Sequence, residues 1–470
     1  MQPVAVEHPK LPRVEFVAST PPGRLWIAVF SAVALAPSFG YLALVFAAAI
    51  GLASFRETWR RPTVSALAVI VCLFEFVPRW QALALATCWI ALLLVWTQIA
   101  RKGRTVPWLH AISALLLASI CVSRGSSFLG GVTAGTLCAL VPELLWRSHY
   151  WIKWRLRQTG QPPVWNNLFA ALPFFAAGGV PFGKGPAYLA KHEAAGPTEL
   201  ASSQIEGVKL LLLAGLWRVA DAALQWILWG IPTSWLPAWT PFHRAPLPSM
   251  ELLMRIPASF ALWQRWAALY GELFHAVLAL AWFGHTIVAA FCLLGFHIPR
   301  NTQSPLTATT IVDFWGRYYF YFKELLMDFF FFPVFLKTSR LAVLWRTMLA
   351  TAAAAFLGNL YYHAVLYSPI LAAGDTRGFR SLLSARIVYC GLLAAGLCAS
   401  MARALKQPQP RTASPFRRAA QVFVVATFFA LLHVWNYGGP PIPMERRLHL
   451  WKTLVGVETN LRAIQLQSGR

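Results

Sequence analysis

Several apolar runs in this sequence reach the roughly 18–20 residues that a helix needs to cross the hydrocarbon core of a bilayer. Backbone at that depth has no water to bond with, so it must satisfy its own N–H and C=O groups, and a helix does so within one segment. The expected fold class is an all-α polytopic membrane protein, with about ten to twelve transmembrane helices and the lipid bilayer as its first partner. Composition agrees, since 57% of the 470 residues are hydrophobic and only 12% charged, against about 25% charged in soluble domains. All seven cysteines lie inside apolar runs with no CxxC pair, a pattern of small core residues and not of disulfides or a metal site.

The net charge is +24, with 41 Lys and Arg against 17 Asp and Glu. In a soluble chain that excess would suggest nucleic acid. Here the positives fall mainly in loops between apolar runs, so topology accounts for them and no nucleic-acid partner is expected. Basic loops carry Arg56, Arg60 and Arg61, then Arg101, Lys102 and Arg104, then Arg147, Lys153, Arg155 and Arg157. Between them lie two apolar hairpins, 64–100 and 108–146, whose tips hold one positive charge each, Arg79 and Arg124. Positive-inside orientation puts the three basic loops in the cytoplasm.

The chain divides into four stretches: a polar segment 1–24, N-terminal transmembrane helices 25–160, a core 161–440 and a basic amphipathic tail 441–470. The N-terminus does not resemble a signal peptide, so nothing is expected to be removed. Leu25 to Phe55 reads as a kinked helix or two short ones, broken at "APSFG". Apolar but Pro- and Gly-interrupted sequence at 165–200 fits irregular backbone buried in protein. Helices follow at about 205–230, 257–296, 311–335, 341–367, 382–405 and 418–436. The Pro- and Trp-rich loop 231–256 looks interfacial, and the tail from 445 is expected along the membrane surface.

The segment "DFWGRYYFYFKELLMDFFFFPVF", residues 313–335, does not read as a lipid-filling span. It carries Asp313, Arg317, Lys323, Glu324 and Asp328, and a charge at a bilayer centre costs about 2.5–3.5 kcal/mol on insertion scales. Such charges pair with one another, brace helix ends or face a polar chamber.

The residues from Gly295 onward resemble the membrane-bound O-acyltransferase (MBOAT) family, in its bacterial branch of alginate O-acetylases and D-alanyl transfer proteins. Gly295, Phe296, Pro299 and Asn301, then Pro305, match that branch's Gly-Phe-x-x-Pro-x-Asn element. Asp313, Phe314, Trp315 and Arg317 match its Asp-Phe-Trp-x-Arg stretch, and Asp328, Phe329, Phe331 and Pro333 match a later one. Upstream, Gly196, Pro197, Glu206, Gly207, Gly215, Arg218 and Asp221 look like its Gly-Pro segment and the helix after it. "FFALLHVWNYGG" occupies the place of its Ser-Gly-x-Trp-His-Gly, with His433 as the histidine. The likeness covers about residues 180–440. It departs at Tyr319, where the family has its first histidine, and at Phe429, Ala430, Leu432 and Val434 around the second.

The resemblance implies an MBOAT-like core with irregular, broken helices and a reaction chamber lined by the Asp-Phe-Trp segment. It implies transfer of an acetyl or other short acyl group from a cytoplasmic thioester, with acetyl-CoA as the donor, to a hydroxyl of an exported polysaccharide or cell-envelope carbohydrate. No tightly bound cofactor is expected, acyl-CoA being a substrate. Expected partners are a periplasmic SGNH-type transferase or a polysaccharide synthase, and the expected location is the cell inner (plasma) membrane. Such chemistry needs a base and donors to a developing oxyanion. His433 and Tyr319 are the candidate catalytic residues. Asp313, Trp315, Arg317, Asp328, Asn301, Gly196 and Pro197 are expected to line or brace the chamber. His275, His285 and His363 have no metal-ligand spacing and read as packing or helix–helix contacts. The eroded motif leaves a second reading open, a catalytically inactive MBOAT-like subunit of a larger membrane complex.

Overall fold

The computed structural model describes residues 18–76, 147, 150, 151, 154, 165–170, 184–231, 247–367, 370, 375–406 and 414–456. The tips at Arg79 and Arg124, the loop 101–104 and most of 147–157 lie outside them. Among the described residues there are helices and no strand; the closest approach to one is a single antiparallel bridge between Glu193 and Phe296.

The chain opens with α1 (Pro21–Phe39), α2 (Leu42–Phe55) and α3 (Glu57–Phe76). Thr20 caps α1 by accepting from the Gly23 amide at 3.2 Å, and Pro21 sits in its first turn, where no amide hydrogen is needed. The expected break is real and falls at Gly40–Tyr41, giving two helices. The sequence 56–61 is not a loop, because α3 begins at Glu57 and draws Arg60 and Arg61 into its first turns.

A 3-10 turn (Trp165–Ala170) and α4 (Pro186–Lys191) precede α5 (Pro197–Trp229), α6 (Met250–Arg255) and α7 (Leu262–Leu293). Helix α5 starts at Pro197, about two turns before the apolar run, because Pro opens the helix and the Glu199 carboxylate accepts from the Ala195 amide at 2.8 Å. It packs along α7 through polar bonds as well as apolar contact: Ser203 Oγ donates to Cys292 O at 2.8 Å and Gln204 Nε2 to Leu293 O at 3.1 Å. Phe46, Ile50, Leu67, Ile287, Val288 and Phe296 share the core that joins α1–α3 to this pair. Gly295 has φ +91, and a Cβ there would lie 2.7 Å from Arg60 Nε, so only glycine fits.

The second half holds α8 (Ile311–Tyr318), α9 (Phe320–Leu326), a π turn (Met327–Phe331), α10 (Phe332–Lys337) and α11 (Val343–Ala352). Another π turn (Ala353–Gly358), α12 (Asn359–Leu366), α13 (Thr376–Lys406), α14 (Pro415–Asn436) and α15 (Met444–Leu454) complete it. The expected single helix 311–335 is broken at Tyr319 for a visible reason. Asn301 O takes the Phe320 amide at 2.9 Å and Asn301 Oδ1 the Tyr321 amide at 3.3 Å. From the other side, the Gln303 amide and Thr302 Oγ1 donate to Arg317 O and Tyr318 O at 2.8 and 3.1 Å. The 301–303 segment thus takes bonds that a continuous helix would make to itself.

Among the described residues five helical stretches are long and apolar enough to cross a membrane: Pro197–Trp229, Leu262–Leu293, Val343–Ala364, Thr376–Leu405 and Pro415–Asn436. Large apolar side chains such as Leu212, Leu216, Trp345, Phe416 and Phe423 point outward from them, as lipid-facing residues do. The protein is an all-α, multi-pass membrane protein. In the C-terminal stretch, α15 buries Arg447, Leu450 and Leu454 against the core of the second half and leaves Leu448 exposed. The loop 231–256 likewise ends in a packed helix, α6, with Met250, Leu253 and Met254 buried.

Candidate functional site

Two segments far apart in sequence meet at the centre of the second core. The ring of Phe314 on α8 stacks on Phe429 of α14, with centroids 3.7 Å apart and planes inclined by 18°. Beside this stack is a narrow crevice lined by Trp315, Tyr318, Tyr389, Leu432, His433 and Asn436. It has room for about one or two water molecules. His433 and Asn436 reach it together because they are three apart on α14, one above the other on a single helix face. Trp315 and Tyr318 share a face of α8 by the same spacing. Helix α7 closes the wall with Leu273, and a 2.6 Å bond between Tyr270 Oη and Thr427 Oγ1 ties α7 to α14.

Two buried arginines hold the end of α14. The last carbonyls of a helix have no partner within it and carry the negative end of its dipole, so cations suit them. Arg386 of α13, 3% exposed, donates from Nη1 to Trp435 O at 2.9 Å and Asn436 Oδ1 at 2.5 Å. Its Nη2 reaches Tyr437 O at 3.2 Å and its Nε reaches Tyr367 Oη at 2.7 Å. Arg447, fully buried, donates to Val434 O and, at 3.3 Å, to Ile442 O. Burial pushes the Arg447 guanidinium down to about 10, and the neighbouring Arg386 charge pushes the same way. Neither arginine has a carboxylate in ion-pair reach among the described residues.

Of the residues singled out in the sequence, the crevice gathers His433 and Trp315. Tyr319 does not line it; its ring lies 5.2 Å from Phe322, and Tyr318 faces the crevice instead. Asp313 and Arg317 form a 2.7 Å pair along α8, with side chains 35% and 39% exposed, and Arg317 also donates to Thr307 Oγ1 at 3.0 Å. Asp328 accepts from Tyr150 Oη at 3.2 Å and stands 3.7 Å from Lys184 Nζ, which pairs with Glu324. Asn301 is buried and braces the α8–α9 break. Gly196 and Pro197 only open α5. All five charges at 313–328 are therefore paired with one another or with Lys184, Lys323 meeting Glu324 at 3.2 Å.

The other histidines singled out in the sequence lie outside the crevice. His285 Nδ1 meets Ala281 O at 2.5 Å, His363 packs against Tyr367 and Tyr389, and His275 Nδ1 meets Asp221 Oδ1 of α5 at 2.6 Å. No group of histidines, cysteines and carboxylates able to hold a metal occurs among the described residues. Sequence reasoning missed Asn436 and Arg386. The first had a signal, three residues after His433 on the same face; the second had none, being an arginine fifty positions away. No family model matches the chain, and no curated protein matches it.

Proposed function

We propose that the protein is a membrane-embedded O-acyltransferase that moves an acetyl or similar short acyl group from a thioester, acetyl-CoA, to a hydroxyl of an exported or envelope carbohydrate. The observation that carries this reading is the meeting of the two motif-bearing segments, 313–318 and 429–436, around His433. His433 would take the proton of the acceptor hydroxyl as that oxygen attacks the thioester carbonyl. When the carbon–sulfur bond breaks, the same proton passes to the leaving thiolate. A neutral imidazole has a ring nitrogen free to take a proton and hand it on, which is the part a general base plays. Trp315 and Tyr318, side chains with an N–H and an O–H, are among the residues of the wall. The small size of the crevice and its aromatic walls favour a short acyl group over a long chain. The site in this reading belongs to a protein of the bacterial inner membrane, working with a periplasmic transferase or a polysaccharide synthase.

The position of Tyr319, packed on Phe322 in place of a second crevice imidazole, favours the other reading, an inactive subunit of a membrane complex. His433→Ala separates the two. Acylation of the envelope carbohydrate, measured at matched protein level, is expected to fall about 10²–10⁴-fold. Wild-type acylation by that variant would leave only the structural subunit.

A further inference from the structure

We infer that Asn436 is a second catalytic residue of this site, donating from its amide nitrogen to the carbonyl oxygen of the bound thioester, and that Arg386 is the residue that positions it. The inference rests on the acyl-transfer reading and adds the group that would stabilise the oxyanion.

The orientation of the amide follows from its partner. A guanidinium has five donors and no acceptor, so the atom of Asn436 that meets Arg386 Nη1 at 2.5 Å must be the oxygen. The Nδ2 hydrogens are then the edge of the amide left over, and no described residue accepts them. Asn436 lines the crevice beside His433, so the base and the donor stand one helical turn apart on one face of α14. Arg386 cannot swing away. It is 3% exposed and fastened to Tyr367 Oη, Trp435 O and Tyr437 O as well as to the amide. No carboxylate neutralises it among the described residues, so its charge polarises the amide and makes the N–H a stronger donor.

In the attack step the carbonyl carbon gains a bond to the acceptor oxygen, and its π electrons move onto the carbonyl oxygen. Preorganised donors act on that developing charge more than on the ground-state carbonyl. When the tetrahedral intermediate collapses, the electron pair returns, the carbon–sulfur bond breaks and the thiolate takes the proton held by His433. Asn436 neither gains nor loses a proton.

The test uses membrane vesicles holding the full chain, with radiolabelled acetyl-CoA as donor and the endogenous envelope carbohydrate as acceptor. Asn436→Asp keeps an oxygen for Arg386 but removes the donor. It is expected to lower kcat about 10²–10³-fold, with KM for acetyl-CoA within about twofold and an unchanged melting temperature. Arg386→Lys, which cannot hold the amide and three other acceptors at once, should lower kcat by about tenfold; if it fails to fold, Asn436→Asp alone decides. Wild-type kcat for Asn436→Asp while His433→Ala is inactive would overturn this inference and leave the acyl-transfer reading standing. A rise in KM with kcat unchanged would also overturn it, since Asn436 would then only bind substrate. Wild-type turnover by His433→Ala would remove the reading and the inference together.

Discussion

The protein buries arginines in several places, and two of these treat the charge differently. Near the start of the chain, Arg60 is 1% exposed and lies 3.7 Å from Glu193, while Arg61 meets the same carboxylate at 2.6 Å and Asn167 Oδ1 at 3.4 Å. Arg60 Nη1 also donates to Ala194 O at 2.6 Å. That cluster fastens α3 to the 193–194 segment, and one carboxylate answers both cations. At the end of α14, Arg386 and Arg447 meet carbonyls, a phenol and an amide, and no carboxylate among the described residues. The first site meets its two cations with a shared carboxylate and is a clasp. The second leaves a positive field standing beside His433 and Asn436, which matters only if negative charge develops there.

The comparison breaks most plainly at the crevice. His433→Ala should cost about 10²–10⁴-fold in acyl transfer without loss of folded protein, whereas no substitution at Arg61 or Glu193 should alter kcat per folded molecule. Both are read in one vesicle assay normalised to protein level. Next in size, Glu193→Ala should destabilise the protein by about 3–5 kcal/mol, because it strands the buried Arg60 charge; graded unfolding in denaturing detergent measures this. Arg447→Met should cost less, about 1–3 kcal/mol, since it removes a charge and strands only neutral carbonyls, Val434 O and Ile442 O. If Arg447→Met proved worse than Glu193→Ala, the distinction between clasp and field would fail. The smallest effect is expected for Asp313→Asn. Its ion pair with Arg317 is more than one-third exposed on both sides, which places it at about 0–1 kcal/mol.

Much of this architecture was legible from residues alone. Long apolar runs name the spans because a helix is the one local way to satisfy backbone in lipid. The pairing of the charges at 313–328 follows from their cost. Helix starts were less legible: α5 and α13 begin in polar sequence, at Pro197 and Thr376, where hydropathy gives no signal and capping decides. The break at Tyr319 was hidden because the bonds that cause it come from Asn301 and Thr302, almost twenty residues away. Arg447 read as a surface charge on an amphipathic tail, and only tertiary packing reveals that helix carbonyls receive it. His433 and Trp315 were found through motif likeness. Tyr318 was not, because the motif drew attention to the next residue, which the helix break turns aside.

The two π turns give the molecule a sensitivity of another kind. Met327–Phe331 and Ala353–Gly358 pack on each other, and a Cβ at Gly358 would come within 2.7–2.8 Å of Phe330 and Leu326. Each turn accommodates one residue more than an α turn of the same rise would hold. Removing that residue would let the helix close up as ordinary α with the segment after it nearly in place, whereas losing a residue from the α turns just before it would rotate everything beyond by about 100° and draw it back about 1.5 Å. On the far side of the first turn, Phe335 O would lose Arg346 Nε, which it meets at 2.5 Å. On the far side of the second, His363 and Tyr367 would leave the aromatic stack beside Arg386. A one-codon deletion within either π turn should therefore be tolerated better than one in the α turns before it: here chain length, counted to the single residue, is itself a structural specification.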